Sequence, residues 1–155
     1  MHLEEKIAKI LLREKKTLAV AESCTGGLLS NAFTNIPGSS AFFLLGVIAY
    51  DNQAKIKLLK VPERYIHTHG AVSAEVVGFM AKGVRQMLKT NYGIGITGIA
   101  GPTGGSKYKP IGLTYIAVCD DTETIIKQFY FKGNRLQNKA LAKNAALRIL
   151  IEMIA

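Results

Sequence analysis

The apolar run Thr17-Leu18-Ala19-Val20 passes directly into Ala21-Glu22-Ser23-Cys24-Thr25-Gly26-Gly27 and then into Leu28-Leu29-Ser30-Asn31-Ala32-Phe33. A buried-type run, a two-glycine turn and a second apolar segment at helical spacing predict a strand, a sharp reversal and a helix. A strand followed at once by a helix must bury both apolar faces against each other, so a layered α/β fold is expected. The junction also carries a hydroxyl and a thiol at the carboxyl end of the strand. Open α/β sheets bind ligands at that edge, where helix-terminal N–H groups are free.

The remaining segments fit this start. Leu3, Ile7, Ile10 and Leu11 share one face of an opening amphipathic helix. The helix after the turn runs to about Asn35, and Ile36-Pro37-Gly38-Ser39-Ser40 ends it. Gly46 to Tyr50 reads as a strand, with Asp51-Asn52 capping a short helix that carries Lys55 and Leu58. Ser73 caps a helix to about Lys89 that turns Val76, Val77, Met80, Val84, Met87 and Leu88 inward. Tyr92 to Thr97 is a strand running into the glycine-rich loop from Gly98 to Ser106. Ile111 to Cys119 and Ile125 to Phe131 form a hairpin across Asp120-Asp121-Thr122, and a last helix starts near Arg135. The order αβαβααβββα, without linker or repeat, predicts one domain over residues 1–155: a three-layer α/β/α sandwich with a mixed central sheet.

Several function classes are excluded by composition and spacing. No apolar run approaches the roughly 18 residues of a membrane span, and Met1-His2-Leu3-Glu4 shows no signal-peptide pattern, so a cytoplasmic protein is expected. The net charge of +9 invites nucleic acid, but the lysines are scattered from Lys6 to Lys143 without interleaved aromatics, which argues against it. A small anionic ligand suits the charge as well. His2, His67 and His69 form no metal-binding pattern, and His67 and His69 read as a polar loop; neither metal nor cofactor is expected. Gly93-Ile94-Gly95-Ile96-Thr97-Gly98 matches G-x-G-x-x-G but lies inside a strand, and Ser106-Lys107-Tyr108 fails the phosphate-loop order.

Nucleophilic catalysis collects the most residues. Ser23, Ser40 and Cys24 are candidate nucleophiles, and Lys55 is a candidate base, which requires that it be held neutral. From spacing alone, a structural role fits each of them as well: Ser23 as a helix cap, Ser40 as a turn residue, and Tyr50 and Lys55 as surface.

Six blocks in order resemble the CinA C-terminal domain family: Ala21-Glu22-Ser23-Cys24-Thr25-Gly26-Gly27, Pro37-Gly38-Ser39-Ser40, Ala49-Tyr50-Asp51-Asn52-Gln53-Ala54-Lys55, His69-Gly70-Ala71-Val72-Ser73, Thr97-Gly98-Ile99-Ala100-Gly101-Pro102 and Lys109-Pro110-Ile111-Gly112. The resemblance implies a nicotinamide-nucleotide amidohydrolase, converting nicotinamide mononucleotide and water to nicotinic acid mononucleotide and ammonia in pyridine nucleotide salvage. The chain length points to the form without a second, nucleotide-pyrophosphatase-like domain. Carried over by position, the resemblance implicates Ser23, Ser40, Tyr50 and Lys55 in catalysis. Cys24, Thr25, Gly26, Thr97, Gly98, Lys109 and Arg135 fall at substrate-binding positions. Asn134 and Gln53 stand where the family carries aspartate and glutamate.

These parts suit amide hydrolysis. Ser23 would attack the carboxamide carbon, neutral Lys55 would take its proton, and Tyr50 and Ser40 would relay or donate hydrogen bonds. Backbone N–H groups of Cys24-Thr25-Gly26 would hold the oxyanion. Thr97 and the glycine loop would hold ribose or phosphate oxygens, and Arg135 the phosphate. The alternative is a non-catalytic nucleotide-binding regulatory module tied to competence or DNA damage. The compact chain is compatible with a homo-oligomer.

Overall fold

A computed structural model describes residues 1–155. In chain order the elements are α1 (Leu3–Glu14), β1 (Leu18–Glu22), α2 (Leu28–Thr34), a 3-10 turn (Ser39–Ala41), β2 (Phe43–Ile48), α3 (Asn52–Leu59), α4 (Glu63–His69), α5 (Ala74–Leu88), β3 (Tyr92–Gly98), β4 (Leu113–Cys119), β5 (Thr124–Tyr130) and α6 (Arg135–Ile154). The five strands form one sheet in the order β2-β1-β3-β4-β5. β1 is parallel to both β2 and β3, whereas β3–β4 and β4–β5 are antiparallel, so the sheet is mixed as expected.

Period-two alternation in β1 divides the core between the two faces of the sheet. Leu18 and Val20 join Ile94, Ile96, Ile116 and Val118 beneath α1, α2 and α6. Ala19 and Ala21 turn the other way, toward Leu59, Val76, Met80 and Val84 of α3 and α5. On that second face the register aligns Ala19 with Gly93 and Cys119, and Ala21 with Gly95 and Ala117. These rows of small residues let α5 lie close to the sheet. A Cβ on Gly93 would stand 2.3 Å from the Ala81 carbonyl oxygen, and one on Gly95 would stand 2.8 Å from that of Val77. The G-x-G in this strand is therefore a helix-packing track. Gly95→Ala is expected to destabilise the protein by at least about 2 kcal/mol through overpacking against backbone, read as a lower midpoint in chemical denaturation.

The layers match the sequence-based expectation, with four local differences. His67 and His69 end a helix, α4, rather than lying in a loop. Its composition is poor in helix formers, and it is held from outside by packing of Tyr65 on Phe79 of α5, with ring centroids 4.9 Å apart. Met87 and Leu88 are exposed, because the last turn of α5 runs past the sheet. Tyr50 follows β2 instead of ending it, which frees its side chain to stand in solvent. The hairpin strands begin and end within two residues of the expected positions. Both expected helix caps form: the Asp51 carboxylate accepts from Gln53 N at 2.8 Å, and Ser73 Oγ from Val76 N at 3.3 Å.

Candidate active site

The turn after β1 is stabilised from inside. Gly26 and Gly27 both take positive φ, +59° and +103°, a conformation that disfavours any residue with a Cβ. Gly26 N donates to the Ser23 carbonyl and Leu28 N to that of Thr25, so the chain reverses within six residues. Glu22, fully buried at the end of β1, closes the base of this loop. Its carboxylate accepts from Leu29 N at 3.0 Å, from Ser30 N at 2.9 Å and from Ser30 Oγ at 2.6 Å. A carboxylate on the first-turn N–H groups of a helix is favoured by both hydrogen bonding and the helix dipole. Ser23 is thereby released from capping, since α2 has no side-chain cap at its N-terminus.

The Ser23 hydroxyl faces Lys55 instead. Because β2 lies parallel beside β1, the segment after β2 emerges at the same edge as Ser23 and turns into α3. Lys55, only 2% exposed, extends its amine to within 3.0 Å of Ser23 Oγ. The same amine donates to the carbonyl oxygens of Ala49 at 2.8 Å and Tyr50 at 3.2 Å. A neutral amine has two N–H bonds and one lone pair. As an ammonium Lys55 donates to all three oxygens; once neutral, with its two N–H bonds kept on the carbonyls, it would turn its lone pair to the Ser23 hydroxyl, as a general base requires. Burial lowers the Lys55 pKa from its ordinary 10.5, opposed by the Asp51 carboxylate and by Cys24. The Cys24 thiol is itself pushed up to about 11 by burial, so it stays protonated at neutral pH and is a poor nucleophile there.

The dyad opens into a cavity of about 290 Å³, walled by Ser23, Cys24, Tyr50, Asn52, Lys55 and Thr97, with the Gly98–Gly101 loop and Arg135 beyond. At its mouth Arg135 donates to the Gly101 carbonyl at 2.7 Å and to the Tyr50 hydroxyl at 3.2 Å. The start of α6 is pinned there by Asn138, which donates to the Ala100 carbonyl and accepts from Gly133 N. Asn134, where the resemblance implies an aspartate, caps the helix, accepting from Gln137 N at 2.9 Å.

Ser23, Cys24, Tyr50, Lys55, Thr97, Gly98 and Arg135 thus share one cavity, and four assignments from sequence change. Ser40 is exposed in the 3-10 turn before β2, whose first residue Phe43 pairs with Leu18 at the opposite end of β1 from Ser23. Within one chain it reaches neither Ser23 nor Lys55, because the parallel strands separate the two edges. Lys109 donates to the carbonyls of His69 and Val72, which fastens that loop, and Lys109 itself does not line the cavity. Thr97 gives its hydroxyl proton to the Ala71 carbonyl at 3.0 Å, so it fixes a wall and keeps only acceptor capacity toward a ligand. Gly26 N already donates to Ser23, leaving the N–H groups of Cys24 and Thr25, which donate to no other residue, as candidate oxyanion donors.

Spacing did not single out Asn52, which lines the cavity, or Glu22 and Asn138, which hold its walls from behind. Glu22 had a signal: a carboxylate closing the otherwise apolar Leu18–Ala21 run must find buried donors. A larger depression of about 540 Å³ lies between the end of α5 and the β4–β5 turn; there the Thr122 hydroxyl and the Thr122 and Glu123 N–H groups donate to Asp120, closing the turn, and burial pushes the Cys119 thiol up. No cluster of His, Cys, Asp or Glu is arranged to hold a metal, and no helix is long and apolar enough to cross a membrane.

Other proteins share this architecture. A CinA-like protein of Syntrophus aciditrophicus is 46% identical over 154 residues, covering 99% of this chain and 37% of the relative. A CinA-like protein of Prochlorococcus marinus is 48% identical over 155 residues, covering 98% and 36%. The chain therefore spans little more than a third of the curated relatives it matches. Among solved structures, the competence/damage inducible protein CihA from Agrobacterium tumefaciens superposes with a TM-score of 0.94 at 35% identity, covering 97% of this chain and 92% of that one. A CinA superfamily protein from Escherichia coli gives 0.94 at 30% identity, covering 97% and 88%. The CinA C-terminal domain model matches residues 1–154, from the first turn of α1 to the last of α6, and with the strand-to-helix turn and its buried lysine inside that span this chain belongs to the CinA C-terminal domain family.

Proposed function

We propose that this domain hydrolyses the carboxamide of nicotinamide mononucleotide, with Ser23 as nucleophile and Lys55 as base. The observation that carries the reading is the 3.0 Å contact between Lys55 Nζ and Ser23 Oγ, made by an amine whose other two bonds go to carbonyls. Ser23 Oγ attacks the carboxamide carbon while its proton passes to Lys55. The C–N bond then breaks, the Lys55 proton leaves on ammonia, and an ester links Ser23 to the nicotinoyl group. Water, deprotonated by the same amine, cleaves the ester and restores the hydroxyl. The N–H groups of Cys24 and Thr25, which donate to no other residue, would hold the tetrahedral oxyanion.

The substrate's charges suit the site. Its pyridinium is cationic and, near Lys55, further favours the neutral amine by like-charge repulsion. Its phosphate needs a cation at the mouth, where Arg135 would exchange its contacts with Gly101 and Tyr50 for phosphate oxygens. Arg135→Ala is expected to raise KM for the mononucleotide roughly thirtyfold, equivalent to losing about 2 kcal/mol of charge-assisted hydrogen bonding, while leaving the riboside unaffected.

Ammonia release from the mononucleotide, the riboside and free nicotinamide tests the reading. Turnover should be greatest with the mononucleotide. A thermal shift with that ligand but no ammonia would instead support the regulatory module. DNA affinity falling steeply with salt would support nucleic-acid binding.

A further inference from the structure

Four hydrogen-bonded or covalent links close a ring around the dyad. The Glu22 carbonyl accepts from Ala49 N at 2.8 Å, the Ala49 carbonyl accepts from Lys55 Nζ, Lys55 Nζ meets Ser23 Oγ, and Ser23 follows Glu22 in the chain. The backbone of Glu22 is thus tied to both nucleophile and base. Its side chain fixes the ring from below, binding Leu29 N, Ser30 N and Ser30 Oγ across the six-residue excursion that carries Ser23. A third residue makes room for this arrangement. A Cβ on Gly46, in the neighbouring strand β2, would stand 2.6 Å from Ser30 Oγ, so the glycine keeps the hydroxyl free to reach Glu22.

We propose that Glu22, held by Ser30 and the first turn of α2, is a positioning residue that sets the Ser23–Lys55 geometry. It touches neither the cavity nor the reacting atoms, and acts through the two residues that do. Loosening the loop base lets Ser23 Oγ drift from the lysine lone pair, and a displacement of about 1 Å at a reacting atom lowers rate by up to about a hundredfold. The inference rests on the dyad reading above, but its test does not need the nucleotide.

The test follows reaction of the whole protein with phenylmethylsulfonyl fluoride, in which Ser23 Oγ bonds to sulfur, fluoride leaves and the serine proton passes to Lys55. Both the rate constant and the final stoichiometry of labelling at Ser23 are measured by mass spectrometry. A merely structural role for Glu22 lowers stoichiometry, because fewer molecules are folded. A positioning role lowers the rate constant at full stoichiometry. Glu22→Gln should slow labelling by about ten- to a hundredfold, with kcat falling in parallel and KM unchanged. Ser30→Ala and Gly46→Ala loosen the hold on the Glu22 carboxylate without replacing Glu22 or either dyad residue, and should slow labelling about threefold or more; they decide the matter if Glu22→Gln does not fold. Wild-type rate constants in the folded variants would overturn the proposal, as would a wild-type protein unreactive at Ser23. Labelling at Ser23 without ammonia from the mononucleotide would remove the substrate assignment, and the slower labelling of the variants would still support the role of Glu22.

Discussion

Ser23→Ala is expected to lower kcat for amide hydrolysis by at least about 10³-fold while leaving the fold intact. The hydroxyl has one side-chain partner, Lys55 Nζ, and that amine keeps its carbonyl acceptors at Ala49 and Tyr50 when the hydroxyl is gone. Stability therefore changes little, and KM, which reports contacts at the mouth and on the phosphate, should stay within a few fold. Cys24→Ser serves as the control. The Cys24 thiol is protonated at neutral pH, so this variant should retain most of its turnover; the opposite ranking of the two would move the nucleophile to Cys24.

Lys55→Met is expected to remove activity by about 10²- to 10⁴-fold, the span of a lost general base, with only a modest change in stability. Two opposing effects produce that modest change. Methionine fills similar space without a buried charge, which is neutral to stabilising, but it leaves the buried Ala49 carbonyl without its donor, at about 1–3 kcal/mol. The lysine also gives the wild type a distinctive pH dependence. Its folded pKa lies below the unfolded value, so between the two the unfolded chain binds more protons and stability rises with pH. Below the folded pKa the full penalty of burying the ammonium is present; above about 10.5 it has vanished. Denaturation midpoints of the wild type should rise across that window relative to Lys55→Met. In the same sense, kcat/KM should climb with pH as Lys55 loses its proton.

Much of this site is legible in the sequence because its anchor is local. A strand, two glycines and a helix within seventeen residues, Thr17 to Phe33, determine where Ser23 stands. Lys55 is legible through the cap at Asp51, which fixes the start of α3 just after a strand. Its distance from Ser23 is a different matter, because 32 residues of sequence separation become 3.0 Å only when β2 pairs parallel to β1. Ser40 shows the same limit from the other side: its motif lies close in sequence to β2, but at the wrong end of it. Lys109 and Thr97 belong to matching blocks, yet their polar hydrogens go to the carbonyls of His69, Val72 and Ala71, and no spacing rule reveals which backbone group a side chain will meet. Helix α4 escaped because its stability comes from Tyr65 packing on α5 rather than from its own composition.

With Ser23 as nucleophile, amide cleavage passes through a covalently acylated serine. Rapid-quench mixing of the protein with nicotinamide mononucleotide, followed by peptide mass analysis, tests it most directly. A transient nicotinoyl-nucleotide ester is expected on the peptide containing Ser23, formed as ammonia appears and absent from Ser23→Ala. Full ammonia release with that peptide unmodified at every time point, or with the adduct on Cys24, would contradict it.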